Sequence, residues 1–290
     1  MLRGAAVIVL LMLNLCLWGV LVLAVALLKL IFVRTRLRRP ILKLMARLAE
    51  GWVGSNNRIF DLLLPTAWDI RGVDGIQYDG HYLIVANHIS WVDIFVLFRA
   101  FHGEAAFIRF FLKHELFWVP IIGQACWALD FPFMKRYSPE YLEKHPEKKG
   151  EDLRTTRRSC RRYRGIPVAI LNFLEGTRFS LEKQADQGSP YRFLLRPRIG
   201  GISFVFASLG EQLDSFFDVT LAYPGHEVRF LQFISGKVER VTVIARRVDV
   251  PPEFCSPEVT EAGPVRERFK GWIEELWREK DALLAKLLAP

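Results

Sequence analysis

Cysteine is scarce in this sequence, and its few copies lie far apart. The 290 residues include four cysteines and six histidines. The cysteines show neither Cys-x-x-Cys spacing nor the close pairs of a disulfide framework, and the histidines lack HExxH or Cys/His ligand spacing. We therefore expect free thiols, no zinc site and a reducing, cytoplasm-facing environment. The cysteines are Cys16, Cys126, Cys160 and Cys255.

Acidic residues are outnumbered by basic ones. The chain has 40 Lys and Arg against 31 Asp and Glu, a net charge of +9. Such a surface attracts phospholipid headgroups, a phosphorylated substrate, an acidic carrier protein or nucleic acid. A basic stripe on a helix predicted over residues 151–164 has no aromatic interleaving or known nucleic-acid motif beside it. We expect no nucleic-acid partner and interpret the stripe as a solvated or lipid-facing surface.

The only long hydrophobic run lies at the N-terminus. Residues 4–28 are apolar except for Asn14, which is long enough for a transmembrane helix. A cleaved signal peptide is the main alternative, but this apolar region is too long and basic residues follow it. By the positive-inside rule these residues place the rest of the chain in the cytoplasm, at an inner membrane. They are Lys29, Arg34, Arg36, Arg38 and Arg39.

The segment that follows, residues 41–64, is amphipathic. Its apolar residues recur at helical spacing among charged ones, which is typical of an interfacial helix or of a packing helix inside the fold. We take residues 1–64 as an N-terminal membrane anchor and residues 65–290 as the globular domain.

A buried strand followed by a polar turn is the most informative stretch of the chain. Leu83 to Ala86 are apolar and partly β-branched, and a helix is predicted to open at Ser90. Asn87 and His88 therefore fall in the turn at the carboxyl end of a strand, where α/β sheets usually bind their ligands.

The spacing of His88 and Asp93 suggests two functions. On one continuous helix they would point about 140° apart, but a helix starting at Ser90 lets them meet. Asp93 can then hold one imidazole nitrogen while the other takes a proton from a hydroxyl that the substrate supplies. Ser90-x-x-Asp93 is also a helix-capping pattern, and the pair alone does not decide between these functions.

A second polar cluster follows another predicted strand. The apolar run Ile166–Phe173 is typical of a central parallel strand. It leads to Gly176, which allows close backbone approach, and Arg178, which can bind a phosphate. Glu175 can hold Arg178 or a neighbouring backbone amide.

A third cluster is basic. A strand predicted over residues 126–136 ends in Lys135 and Arg136. These cations are either a solvated edge or a phosphate clamp on the same side of the sheet as His88.

The remaining pattern completes an α/β fold with a central, mostly parallel sheet flanked by helices. Strands are predicted over residues 105–109, 219–224, 228–233 and 238–244, and helices over residues 202–209 and 264–288.

Four motifs occur in order along residues 65–225. They are Asn87-His88-x-x-x-x-Asp93, Phe133-Met134-Lys135-Arg136, Glu175-Gly176-Thr177-Arg178 and a strand that ends at Pro224. The set resembles the glycerolipid acyltransferases, which include 1-acylglycerol-3-phosphate and lysophospholipid acyltransferases, and most of all their bacterial membrane-bound and lysocardiolipin-type members. Two departures are that Phe173-Leu174 stands where the family commonly has Phe-Pro, and that Lys135 precedes the expected arginine.

The resemblance implies a reaction and a site. His88 would be the general base that deprotonates an acceptor hydroxyl, Asp93 would orient it, and Pro224 would shape the acyl pocket. The donor would be an acyl-CoA or acyl carrier protein thioester, and no metal or other cofactor would be needed. The residues implied to bind the phosphate of the acceptor are Lys135 or Arg136, Glu175, Gly176, Thr177 and Arg178.

The predicted function is therefore acyl transfer to 1-acylglycerol-3-phosphate at a phospholipid membrane. Oxyanion donors are expected among backbone amides near Gly176. The alternatives are another lysophospholipid acceptor such as lysocardiolipin, and a non-catalytic, membrane-tethered lipid-binding protein.

Overall fold

The computed structural model describes residues 2–32, 35–134, 139–145, 158–160, 162–163 and 166–289. Lys135 and Arg136, and most of the predicted basic helix at residues 151–164, lie outside the described residues.

Eight strands are present in the described part of the chain, and six of them form the central sheet. The strands are β1 (Ala67–Arg71), β2 (His81–Ala86), β3 (Ile108–Phe110), β4 (Leu112–Lys113), β5 (Phe133–Met134), β6 (Val168–Phe173), β7 (Ser215–Ala222) and β8 (Arg240–Val248).

The central sheet confirms the predicted α/β fold. Its strand order is β1-β8-β7-β2-β6-β3, and every neighbouring pair is parallel except the antiparallel pair β7 and β8. Strands β2, β6 and β7 lie side by side, so their carboxyl ends meet at one edge. Strands β4 and β5 form a separate parallel pair.

The described helices cover both faces of this sheet. They are α1 (Leu2–Ile31), α2 (Arg38–Leu63), α3 (Val92–Ala100), α4 (Ile122–Ala128), α5 (Pro139–Lys144), α6 (Leu181–Asp186), α7 (Ile199–Leu209), α8 (Phe230–Ile234) and α9 (Pro264–Leu287).

Alternating side chains of the strands feed two hydrophobic layers. In β2, Ile84 and Ala86 pack in the layer that contains α2 and α3, whereas Leu83 and Val85 pack in the layer that contains α7 and α9. Successive residues of a strand point to opposite faces, so a continuous apolar run is what a strand buried on both faces requires.

Helices α1 and α2 pack against each other through small and polar residues. Asn14 donates from Nδ2 to Asn56 Oδ1 at 2.8 Å, and the ring of Trp18 lies over Gly51, where a Cβ would be only 2.3 Å from it. One face of α2 is buried, from Met45 to Phe60. Of the two interpretations of residues 41–64, the structure therefore shows a helix packed in the fold.

Both ends of α1 contact the globular part. Near its start, Gly4 lies against Ser235. Near its end, Lys29 Nζ pairs with Asp130 Oδ2 at 2.8 Å. The helix is long and apolar enough to cross a bilayer, and it lies along the domain for its whole length.

Two predicted strands are wrong. Residues 126–128 belong to α4, which ends where Asp130 adopts a φ of 64°, and only Phe133 and Met134 of that prediction are extended within the described residues. Residues 230–233 belong to α8, because Phe233 is fully buried between the rings of Phe60 and Trp68.

Candidate active site

His88 and Asp93 meet at the carboxyl end of β2. The chain turns between them, and Asp93 lies in the first turn of α3. His88 Nδ1 is 2.8 Å from Asp93 Oδ2. Because a carboxylate only accepts, this contact assigns the proton of a neutral ring to Nδ1 and leaves Nε2 as an acceptor. The Nε2 atom has no hydrogen-bond partner in the described part of the chain.

Asp93 also organises the turn before α3. Asp93 Oδ2 also accepts the backbone N–H groups of Ile89 at 2.6 Å and Ser90 at 2.8 Å. Helix α3 begins two residues later than predicted, at Val92, whose N–H donates to Ser90 Oγ at 3.3 Å. The carboxylate is completely buried, and it holds the turn and the imidazole together.

Strand β7 completes the environment of Asp93. Tyr223, which directly follows this strand, donates its hydroxyl to Asp93 Oδ1 at 2.7 Å. Burial and the nearby carboxylate raise the pKa of Tyr223 well above its usual value, so its hydroxyl stays protonated as a donor. Asn87 exchanges two hydrogen bonds with the backbone of Leu221, at 2.9 and 2.8 Å. These bonds fix the turn that carries His88 relative to β7.

A buried ion pair supports β7 from the other face of the sheet. Lys280 of α9 pairs with Asp218 at 2.8 Å and donates to the backbone carbonyl of Val219. Burial lowers the pKa of Lys280, and the charge of Asp218 opposes this effect. The C-terminal helix thus holds the strand that ends at Tyr223.

Glu175 is buried and connects two backbone segments of the site. Its Oε1 accepts the backbone N–H of His88 at 2.8 Å and its Oε2 accepts that of Leu195 at 3.0 Å. Of the two predicted partners, the structure shows backbone amides. Burial raises the pKa of Glu175 to about 8, while the two amides and Lys280 oppose the rise. With only 1% of its surface exposed, the residue acts on the site through these amides.

The turn after β6 brings Gly176, Thr177 and Arg178 beside His88. Phe179 N–H donates to the carbonyl of His88 at 2.7 Å, and Phe173 stacks on the imidazole with ring centroids 4.0 Å apart. The amide of Gly176 donates to the carbonyl of Phe173, so it is not free for an oxyanion.

The side chains of this turn have defined neighbours. The guanidinium of Arg178 is exposed and lies 5.5 Å from the ring centroid of Trp91. Thr177 Oγ1 accepts from Lys183 Nζ at 3.0 Å. Pro224 is exposed and begins the short helical turn after Tyr223.

Sequence reasoning missed Tyr223, Lys183 and Arg198 as parts of this site. A tyrosine at the carboxyl end of a predicted strand was the available signal for the first. Arg198 lies in a segment whose basic character is evident, but its position over Gly176 depends on tertiary structure. Among the described residues, no group of three or more His, Cys, Asp or Glu is placed to hold a metal ion.

Comparison with known proteins agrees with this geometry. A family model named Acyltransferase matches residues 68–209. The matched range contains His88, Asp93 and the turn at residues 175–178, whereas Tyr223 and Lys280 lie beyond it.

Related proteins carry acyltransferase names. The mouse 1-acyl-sn-glycerol-3-phosphate acyltransferase gamma is 28% identical over 217 residues, covering 70% of this chain and 52% of the relative. The zebrafish (Danio rerio) lysocardiolipin acyltransferase 1 is 24% identical over 255 residues, covering 83% of this chain and 61% of the relative. The chain thus spans little more than half the length of these relatives.

A solved structure shares this fold almost end to end. The crystal structure of the 1-acyl-sn-glycerophosphate (LPA) acyltransferase from Thermotoga maritima matches with a TM-score of 0.57 at 16% identity, covering 98% of this chain and 97% of the other.

Proposed function

We propose that this protein is an O-acyltransferase that moves a fatty acyl group from a thioester to the free hydroxyl of 1-acylglycerol-3-phosphate. The observation that carries the proposal is the imidazole of His88. One of its nitrogens is bound to a buried carboxylate, and the other is an acceptor at the carboxyl edge of the sheet. That arrangement suits removal of a proton from a hydroxyl.

The proposed reaction needs no nucleophile from the protein. His88 Nε2 takes the proton of the acceptor hydroxyl as its oxygen attacks the thioester carbonyl. Asp93 stabilises the imidazolium that forms. When the tetrahedral intermediate collapses, the C–S bond breaks and the thiolate takes the proton from His88. The products are an ester and a free thiol, whether the donor is acyl-CoA or acyl carrier protein.

Helix α1 supports a membrane location for this reaction. Many apolar side chains of α1 are exposed in the described chain, among them Leu13 and Leu17. Its two ends contact Ser235 and Asp130 of the same domain. If α1 crossed the bilayer, its two ends would lie on opposite sides of the membrane and could not both contact this domain. We therefore infer that α1 lies in the cytoplasmic leaflet along the membrane plane, where a lysophospholipid resides.

The test is acyl transfer from a labelled long-chain thioester to a panel of lysolipids. Membranes with the intact protein are compared with membranes carrying His88→Ala and, as a matched control, His81→Ala. His81 begins β2 at the opposite edge of the sheet. The panel contains 1-acylglycerol-3-phosphate, lysocardiolipin and lysophosphatidylcholine, each with acyl-CoA and with acyl carrier protein donors.

We expect labelled diacyl product from 1-acylglycerol-3-phosphate that is lost with His88→Ala and kept with His81→Ala. Transfer only to lysocardiolipin would replace the proposed acceptor by the one named for the zebrafish relative. No transfer with either donor would refute the enzyme and leave a lipid-binding protein.

A further inference from the structure

Three cations surround the turn that follows β6. Arg178 is part of the turn. Lys183 of α6 donates a hydrogen bond to it. The side chain of Arg198, the residue before α7, lies over Gly176 of the turn. Lys183 Nζ donates to Thr177 Oγ1 at 3.0 Å and to the carbonyl of Arg178 at 2.9 Å. The ammonium group is therefore held in place by neutral oxygens.

None of these three cations has an acidic partner within the described chain. No described carboxylate lies within 4.0 Å of the charged groups of Arg178, Lys183 or Arg198. Glu175, three residues before Arg178, uses both oxygens on backbone amides. Three cations without an acidic partner thus surround the turn whose Phe179 N–H donates to the carbonyl of His88, and this charge attracts an anionic ligand.

Gly176 is what allows Arg198 to lie across the turn. A Cβ at this position would be 3.1 Å from Arg198 Cδ and 3.7 Å from its Cζ. Residue 176 also has a φ of 66°, which favours glycine. The backbone N–H of Arg198 donates to the carbonyl of Leu174 at 2.7 Å. The close approach expected at Gly176 is therefore made by the stem of an arginine.

From this placement we propose that Arg198 binds the phosphate of the acceptor across Gly176, with Arg178 and Lys183 supplying the other two charges. The proposal rests on the proposed acyl transfer and names the headgroup that the site prefers. A phosphomonoester carries close to two negative charges near neutral pH, and a phosphodiester carries one. Three unpaired cations favour the monoester.

The experiment compares Arg198→Gln with Arg196→Gln in the full-length protein. Arg196 is two residues away, is equally exposed, and donates to the backbone carbonyls of Gln187 and Gly188, so it is a matched control. Each variant is assayed with one thioester and three acceptors: 1-acylglycerol-3-phosphate, lysophosphatidylglycerol and a monoacylglycerol. Binding of labelled 1-acylglycerol-3-phosphate in nanodiscs is measured in parallel without a donor.

We expect Arg198→Gln to raise the KM for 1-acylglycerol-3-phosphate about tenfold to a hundredfold, as for loss of a charge-assisted contact. The rise in KM should be smaller for lysophosphatidylglycerol, a phosphodiester, and less than about twofold for the monoacylglycerol. Arg198→Lys should restore part of it, because it keeps the charge without the bidentate geometry, and Arg196→Gln should behave like the parent.

Equal losses on all three acceptors, or an unchanged KM for 1-acylglycerol-3-phosphate, would overturn the role of Arg198. The binding arm separates this failure from that of the proposed function. A parent protein that binds the phospholipid through Arg198 but transfers no acyl group would retain the phosphate site and refute the enzyme. A parent protein that transfers the acyl group, with unchanged phospholipid binding in Arg198→Gln, would support the enzyme and refute the role of Arg198.

Discussion

Replacing Glu175 by Gln should remove a specific pH dependence of stability. Burial raises the pKa of Glu175 from 4.5 to about 8 in the folded protein, and unfolding returns the carboxyl group to water. Gln copies the neutral acid in shape and charge. The variant cannot ionise, and its single amide oxygen can accept only one of the two N–H groups, of His88 and Leu195, that Glu175 accepts.

The size of the effect follows from the two pKa values. Below pH 4.5 both states are protonated, so the carboxyl group adds no pH dependence. Between pH 4.5 and 8 the unfolded chain loses its proton while the folded protein keeps it, so the free energy of unfolding falls as pH rises. Each pKa unit corresponds to about 1.4 kcal/mol, which makes the full loss on the order of 5 kcal/mol by pH 8.

The assay is thermal unfolding of the purified full-length protein in detergent micelles from pH 5 to pH 9. At pH 5 the variant should melt below the parent, because one buried amide loses its acceptor at a cost of about 1–3 kcal/mol. At pH 9 the larger loss in the parent should make the variant the more stable one. Glu182→Gln, at an exposed position of α6, should retain the parental pH profile. Parallel curves for parent and Glu175→Gln would refute the argument that this carboxyl group is buried as an acid.

Three further outcomes are expected from contacts around the site and α1. Tyr223→Phe should lower stability by about 1.5–3 kcal/mol and kcat about tenfold, because Asp93 loses one donor to a charged oxygen; unchanged melting and turnover would contradict this. Lys280→Met should cost less than the about 3–5 kcal/mol of an unpaired buried charge, because Asp218 keeps Arg246 at 3.2 Å. Adding Asp218→Asn should recover part of this cost in a double-mutant cycle, whereas strictly additive losses would argue against the pair. Arg3→Cys should react with a membrane-impermeant thiol reagent from the side of the globular domain, and labelling from the opposite side would show that α1 spans the bilayer.

Continuous or strongly periodic stretches of this fold could be predicted from the sequence. The run Ile166–Phe173 predicted β6, which spans Val168–Phe173, and residues 264–288 predicted α9, which ends at Leu287. The meeting of His88 and Asp93 followed from helix geometry. These elements depend on the order of residues within one short segment, which can be read directly from the sequence.

The failures came where tertiary packing decided a short segment. Residues 228–233 alternate enough to suggest a strand, but burial of Phe233 in an aromatic cluster fixes one turn of helix. Helix α4 lies between Ile121 and Asp130, both at positive φ, a conformation that no local pattern indicates. Tyr223 contacts Asp93 across 130 positions, so its part in the site could not be derived from spacing.

The contacts of α1 also decide what counts as the smallest folding unit. Division of the sequence near residue 64 separates an apolar segment from a globular one, but the two share a single interior. Without α1 the amide of Asn56 would lose its buried partner, Asp130 would lose the ammonium of Lys29, and Gly51 would lose the indole that covers it. A chain truncated for solubility would therefore lose the exposed apolar helix, but it would also expose side chains that α1 now covers. Both forms would need detergent.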